Sequence, residues 1–166
     1  MKLVTYNYPI IDILESSQLK SMYKANTLLG KSDTAADDTV VSDEDQGICG
    51  GFLKSGALKV SAIMQGYSQG VQDENGAALK AFEWDTEDKH EIVFRTAMPD
   101  NFATSSVDMI EDSVRTALEN YTLMEMAKLR GIDPVSYIEK WDDASRQTSA
   151  YLCKRDRPIE RKYNFY

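Results

Sequence analysis

The stretch Leu129-Arg130-Gly131-Ile132-Asp133-Pro134-Val135 decides the fold. Glycine carries no steric penalty in the left-handed conformation that closes many helices, so Gly131 predicts a helix end. Asp133 can accept from a free amide of the following turn. Pro134 suits the first helical position, where its missing amide would have no partner anyway. Upstream, Val107, Ile110, Val114, Ala117, Leu118, Tyr121 and Met124 recur at helical spacing, with Ser105 and Asp108 as the expected cap. Downstream, Tyr137, Trp141, Ala144, Thr148 and Tyr151 or Leu152 mark a second apolar face. Two amphipathic helices joined by so short a break predict an antiparallel helical hairpin.

Towards the N-terminus the signals are less uniform. Val4-Thr5-Tyr6-Asn7-Tyr8 reads as a short strand ended by Pro9, or as an extended arm, and a helix is expected from Ile10 towards Leu29. Residues 31–47 carry six acidic groups against Lys31, a composition that buries little apolar surface and reads as loop. Ser42, followed by Asp43, Glu44 and Asp45, is placed to cap a helix whose face is Cys49, Phe52, Leu53, Val60, Ile63 and Tyr67. Gly47, Gly50, Gly51 and Gly56 each weaken such a helix by up to about 1 kcal/mol relative to alanine. Their number predicts that another backbone packs closely against it. Asp73-Glu74-Asn75-Gly76 is a turn signal, and residues 81–84 and 91–95 read as the strands of a hairpin.

These elements predict a mainly α fold with a small β-hairpin (α+β): a helical bundle with a C-terminal helical hairpin and an extended C-terminal tail. Residues 1–153 form a single helical domain in this reading, with the hairpin inserted near 81–95, and 154–166 form the tail. No apolar run approaches the ~20 residues needed to span a bilayer, and the N-terminus lacks the pattern of a signal peptide, so a soluble cytoplasmic chain is expected. Cys49 and Cys153 are too few for a disulfide framework and read as reduced core or near-core thiols. A net charge of -8 disfavours direct nucleic-acid binding.

Catalytic and ligand motifs are incomplete. Leu29-Gly30-Lys31-Ser32 resembles the end of a phosphate-binding loop, but the glycine required five residues before Gly30 is Ala25. Neither Asp33, Asp37, Asp38, Asp43, Glu44 and Asp45 nor Asp73, Asn75 and Gly76 has the spacing of a calcium-binding loop. His90 is the sole histidine and stands among Glu87, Asp88, Lys89 and Glu91 at the expected hairpin end. Glu83, Asp85, Glu87, Asp88 and Glu91 offer carboxylate pairs, yet alternation with Phe82 and Trp84 places them on a wet face rather than in a cleft. No catalytic residue, cofactor or metal site is expected, and the chain reads as a non-enzyme.

Residues 154–166 stand apart. They carry a local charge of +3, which leaves -11 on residues 1–153. Arg155, Arg157, Arg161 and Lys162, with Tyr163, Phe165 and Tyr166, are the residue types that anchor protein interfaces, so they are the candidate protein-interaction residues. An acidic body with a basic aromatic tail can attract copies of itself.

The chain also resembles a family. The acidic lead-in Thr39-Val40-Val41-Ser42-Asp43-Glu44-Asp45, the charged hairpin, Leu118-Glu119-Asn120-Tyr121 in the long helix, Trp141 in the next and Arg157-Pro158-Ile159-Glu160-Arg161 carry the resemblance over residues 39–166. In this layout the chain is similar to small head-to-tail connector, or neck and tail-completion, virion proteins of tailed phages and prophages of Bacteroides-type hosts. The resemblance implies a homo-oligomeric ring that ties copies together through terminal arms, with portal or tail components as partners. It also implies residence in the host cytoplasm during assembly and then in the virion. The alternative is a small cytoplasmic adaptor or regulatory domain that binds a bacterial protein through the tail.

Overall fold

A computed structural model describes residues 1–28, 40–85 and 89–156. The fold is mainly α with a small antiparallel sheet. Strand β1 (Lys2–Pro9) leads directly into helix α1 (Ile10–Leu28). Helix α2 (Gln46–Met64) follows, then β2 (Phe82–Glu83), β3 (Glu91–Met98), α3 (Val107–Leu129) and α4 (Val135–Leu152). Among the described residues, no helix is long and apolar enough to cross a membrane.

The break at Gly131 forms much as its residues dictate, except that α4 begins at Val135, so Pro134 stands one position before the helix rather than at its first position. Gly131 has φ +69°, its amide donates to Lys128 O at 3.2 Å, and the Ile132 amide reaches back to Ala127 O at 2.8 Å. These two bonds satisfy carbonyls that the helix end leaves open. Asp133 Oδ1 accepts from the Val135 amide at 3.0 Å, which starts α4. The helices then run antiparallel: Ser113 meets Thr148 across the seam, and Tyr121 packs edge-on against Trp141 with centroids 5.1 Å apart.

Helix α3 is the axis of the molecule. Its residues Ala117 to Met124 are all buried, because α1, α2 and α4 surround it. Ile13, Leu14, Ser17, Ser21 and Ala25 form the inward face of α1. The two serines are tolerated there because Ser17 donates to Ile13 O and Ser21 donates to Gln18 O while accepting from the Val41 amide.

The sheet has three strands, in the order β1-β3-β2, so the expected hairpin of β2 and β3 gains β1 on its other side. Val4, Tyr6 and Tyr8 alternate inward from β1, meeting Phe94 and the helices, while Leu3, Thr5 and Asn7 face outward.

Four local expectations are corrected. The caps at Ser42 and at Ser105 with Asp108 do not form. Ser42 instead donates its amide and hydroxyl to Asp45 Oδ2, and α3 is entered through a 3-10 turn, Thr104–Ser106, whose backbone bonds replace a side-chain cap. Among the glycines of α2, close approach occurs at Gly56 and involves the Tyr121 side chain, not a backbone. Gly47, Gly50 and Gly51 would have nothing within 4 Å of an added Cβ. Cys49 is buried as expected, but Cys153 lies just past the end of α4 and is exposed, because the chain turns there to follow residues 101–103. Of the acidic stretch 31–47, Asp43–Asp45 form a 3-10 turn and residues 46 and 47 belong to α2 rather than to a loop, and residues 29–39, with the expected end of the first helix, lie outside the described residues.

Candidate functional site

The root of the basic segment is held in place by backbone bonds. Arg155 forms an isolated antiparallel bridge with Phe102, the Asp156 amide donates to Asn101 O at 3.0 Å, and the Ala103 amide donates to Lys154 O at 3.4 Å. The Arg155 guanidinium donates to Leu152 O and Lys154 O, and it lies 5.8 Å from the centre of the Tyr67 ring. Arg155 is thus committed to the body. The other candidate interaction residues, Arg157, Arg161, Lys162, Tyr163, Phe165 and Tyr166, lie outside the described residues.

The titratable groups near the hairpin are individually engaged. His90 Nδ1 sits 2.7 Å from Asp85 Oδ1, both residues have positive φ, and the imidazole is exposed, as a turn residue should be. Glu83 pairs with Arg95 at 2.9 Å, and Arg95 also donates to Lys80 O. Glu87 and Asp88 lie outside the described residues. Asp73 Oδ1 accepts from the Asn75 and Ala77 amides, so its carboxylate holds a turn whose Gly76 has φ +81°. Among the described residues, no group of three or more His, Cys, Asp or Glu side chains could hold a metal ion.

The buried Cys49 thiol is not set up as a nucleophile. Burial pushes the Cys49 thiol up to about 11, with Asp45 adding to the effect and Arg130 opposing it, so it stays protonated. Cys153 Sγ lies 3.4 Å from the Tyr67 hydroxyl, and that contact, with burial, raises the tyrosine. Asp45 has a structural role. Burial alone would raise its carboxyl, but hydrogen bonds from Ser42 and Arg130 outweigh burial and hold it below the usual range. Arg130, at the end of α3, bonds both Asp45 and Val40 O, which pins the lead-in to α2.

The structure also brings together a cluster that sequence reasoning missed. Lys20, Tyr23, Lys24, Asn120, Tyr137 and Lys140 line a groove of about 640 Å³ among α1, α3 and α4. Lys20 is paired with the buried carboxylate of Glu119, which also accepts from Arg115 Nε at 3.3 Å. Lys24 stacks on Tyr137 at 4.1 Å and donates to Ser136 Oγ. Burial lowers the Lys24 ammonium, Asp133 opposes the shift and Lys140 adds to it. Lys20 and Lys24 are four apart on one helix, but nothing local pointed to Lys140 beside them, and a net-acidic body hid the local excess of cations. No protein-family model matches the chain, and no curated protein or solved structure matches it either.

Proposed function

We propose that this chain is a non-enzymatic structural component of a tailed-phage virion, a head-to-tail connector or tail-completion protein, and that residues 157–166 tie one copy to the next. The observation that carries this reading is charge segregation across a fixed root. Residues 157–166 carry +2 and continue from Asp156, whose amide is bonded to Asn101, while residues 1–156 hold -10. Basic and aromatic residues on one part of a subunit and an acidic surface elsewhere suit a heterologous contact, the kind that closes rings. The family resemblance supplies the virion, with portal or tail components as the other neighbours.

Mass measurement of the full chain across a range of concentrations tests this reading. Oligomers are expected that weaken at high salt and are lost when Arg157, Arg161, Tyr163, Phe165 and Tyr166 are replaced together by alanine. A monomer at every concentration, alone and with portal or tail proteins, overturns it.

A further inference from the structure

Among the described residues, strand β1 is an edge of the sheet. Hydrogen-bonded pairs alternate along an antiparallel ladder, and the alternation here is anchored by the Ile10 amide, which donates to His90 O at 3.0 Å just past the Pro9 and Glu91 pair. Counting back, Lys2, Val4, Tyr6 and Tyr8 direct their backbone groups to β3. Leu3, Thr5 and Asn7 direct theirs outward. The opposite side of β3 agrees, since Arg95, the partner of Thr5, donates its amide to Ala81 O on the β2 side. Leu3, Thr5 and Asn7 are exposed, and among the described residues none of their outward amides and carbonyls has a backbone partner. An edge of eight residues with free groups is a template for another strand.

The surroundings select the chemistry of that strand. At one end of the edge, Asn7 and Pro9 border a cleft of about 250 Å³ that also contains Asp12, Glu111, Asp112 and Arg115. At the other end, Leu3 and Ala97 border a cleft of about 560 Å³ with Asp73 and Glu74. Five carboxylates against Arg115 and the Met1 ammonium, which is itself paired with Asp100, favour a basic occupant.

The geometry points to residues 157–166 of a second copy as that occupant, added antiparallel to β1. Their composition fits. Tyr163, Phe165 and Tyr166 favour extended pairing, and Arg157, Arg161 and Lys162 supply positive charge ahead of them. Their length fits as well: ten residues extend over about 33 Å, against about 27 Å for the eight of β1. The position of the root selects the second copy. Asp156 is bonded to Asn101, three residues beyond Met98, and Met98 pairs with Lys2. The chain's own segment therefore starts within about 20 Å of the Lys2 end of the edge, counting three residues along the chain and two steps between paired strands. Ten residues, about 33 Å when extended, are too short to reach the Pro9 end from there and then pair back along the whole of β1, so the antiparallel place is open to another copy's segment. A neighbour's segment entering at the Pro9 end runs antiparallel, the sense of both other pairings in this sheet, and brings its basic residues first to Asp12, Glu111 and Asp112. The inference rests on the assembly reading above and names the surface that receives the strap.

The test uses the full chain in two variants. Thr5→Pro removes an outward amide while leaving the bonds to β3. Arg161→Glu with Tyr163→Pro disables the strap. Sedimentation should show each variant associating at least about tenfold more weakly than the parent, whereas an equimolar mixture recovers one interface and associates. Circular dichroism establishes that Thr5→Pro is folded, and Leu3→Lys with Asn7→Lys serves as a second edge variant. Association that survives both edge variants but is lost in the strap variant overturns the edge as receiver and leaves the assembly reading standing. A mixture that stays monomeric overturns exchange between copies. A parent chain that is monomeric throughout overturns self-association altogether.

Discussion

Gly56 of α2 faces the ring of Tyr121 of α3 so closely that a Cβ on the glycine would stand 2.9 Å from Cδ1 and 3.2 Å from Cγ. The ring has little room to retreat, since Tyr121 is buried, packs against Trp141 and has its hydroxyl 3.4 Å from Ser55 Oγ. Gly56→Ala is therefore expected to cost about 1–3 kcal/mol through overpacking. Gly50→Ala and Gly51→Ala lie in the same helix with open space around them, and each should add about 0.5–1 kcal/mol through helix propensity alone. Urea unfolding midpoints of the three variants measure this directly. Losses at positions 50 and 51 would contradict the open faces.

Glu119 joins α1 to α3 as a buried carboxylate, only 3% exposed, between Lys20 and Arg115, which are about half exposed. The asymmetry of exposure sets the order of two mutations. Lys20→Met leaves the buried charge with Arg115 alone and should cost about 2–4 kcal/mol. Glu119→Gln leaves cations that can turn towards water and should cost about 1–2 kcal/mol. The reverse order in chemical denaturation would show that Arg115 alone satisfies the carboxylate.

Tyr6 gives the molecule an alkaline limit. Its ring is 1% exposed, and its hydroxyl lies near Thr96 without a hydrogen bond of acceptable geometry, since Thr96 Oγ1 turns to Val4 O. Burial pushes this phenol up to about 12, with Thr96 opposing and Glu111 adding. An unfolded tyrosine ionises near 10, so the folded state keeps a proton that the unfolded chain releases between about pH 10 and 12. Stability is then full below about pH 10 and falls at up to about 1.4 kcal/mol per pH unit above it for this one group. Tyr8, also raised by burial, acts in the same direction. Tyr6→Phe should reduce that slope and, by removing an unsatisfied hydroxyl, gain about 1 kcal/mol at neutral pH. Denaturant midpoints from pH 8 to 12 check both parts. An unchanged slope would place the alkaline sensitivity elsewhere.

Gly131→Ala isolates a backbone effect. The residue has φ +69° and nothing within 4 Å of an added Cβ, so its expected cost of about 1 kcal/mol is purely conformational. Gly131→Asn should cost less, because asparagine tolerates this region better. Equal losses for the two variants in thermal unfolding would contradict a conformational origin.

The sequence by itself determined the features whose physics is local. Gly131, Asp133 and Pro134 act on amides and carbonyls within one turn, and the faces of α3 and α4 follow from spacing alone, so both were legible. The turn at Asp73 to Gly76 and the strand pattern around Phe82 and Phe94 belong to the same class. Only the tertiary structure decided what depends on partners far along the chain. It paired Lys2 with Met98, making β1 an edge strand rather than a loose arm. It buried Ala117 to Met124 on every side, set Lys20 against Glu119, gathered Lys24 and Lys140 at one groove, and left Cys153 in solvent. Local patterns report which face of an element is apolar. Which neighbour covers that face depends on how all the elements share one core.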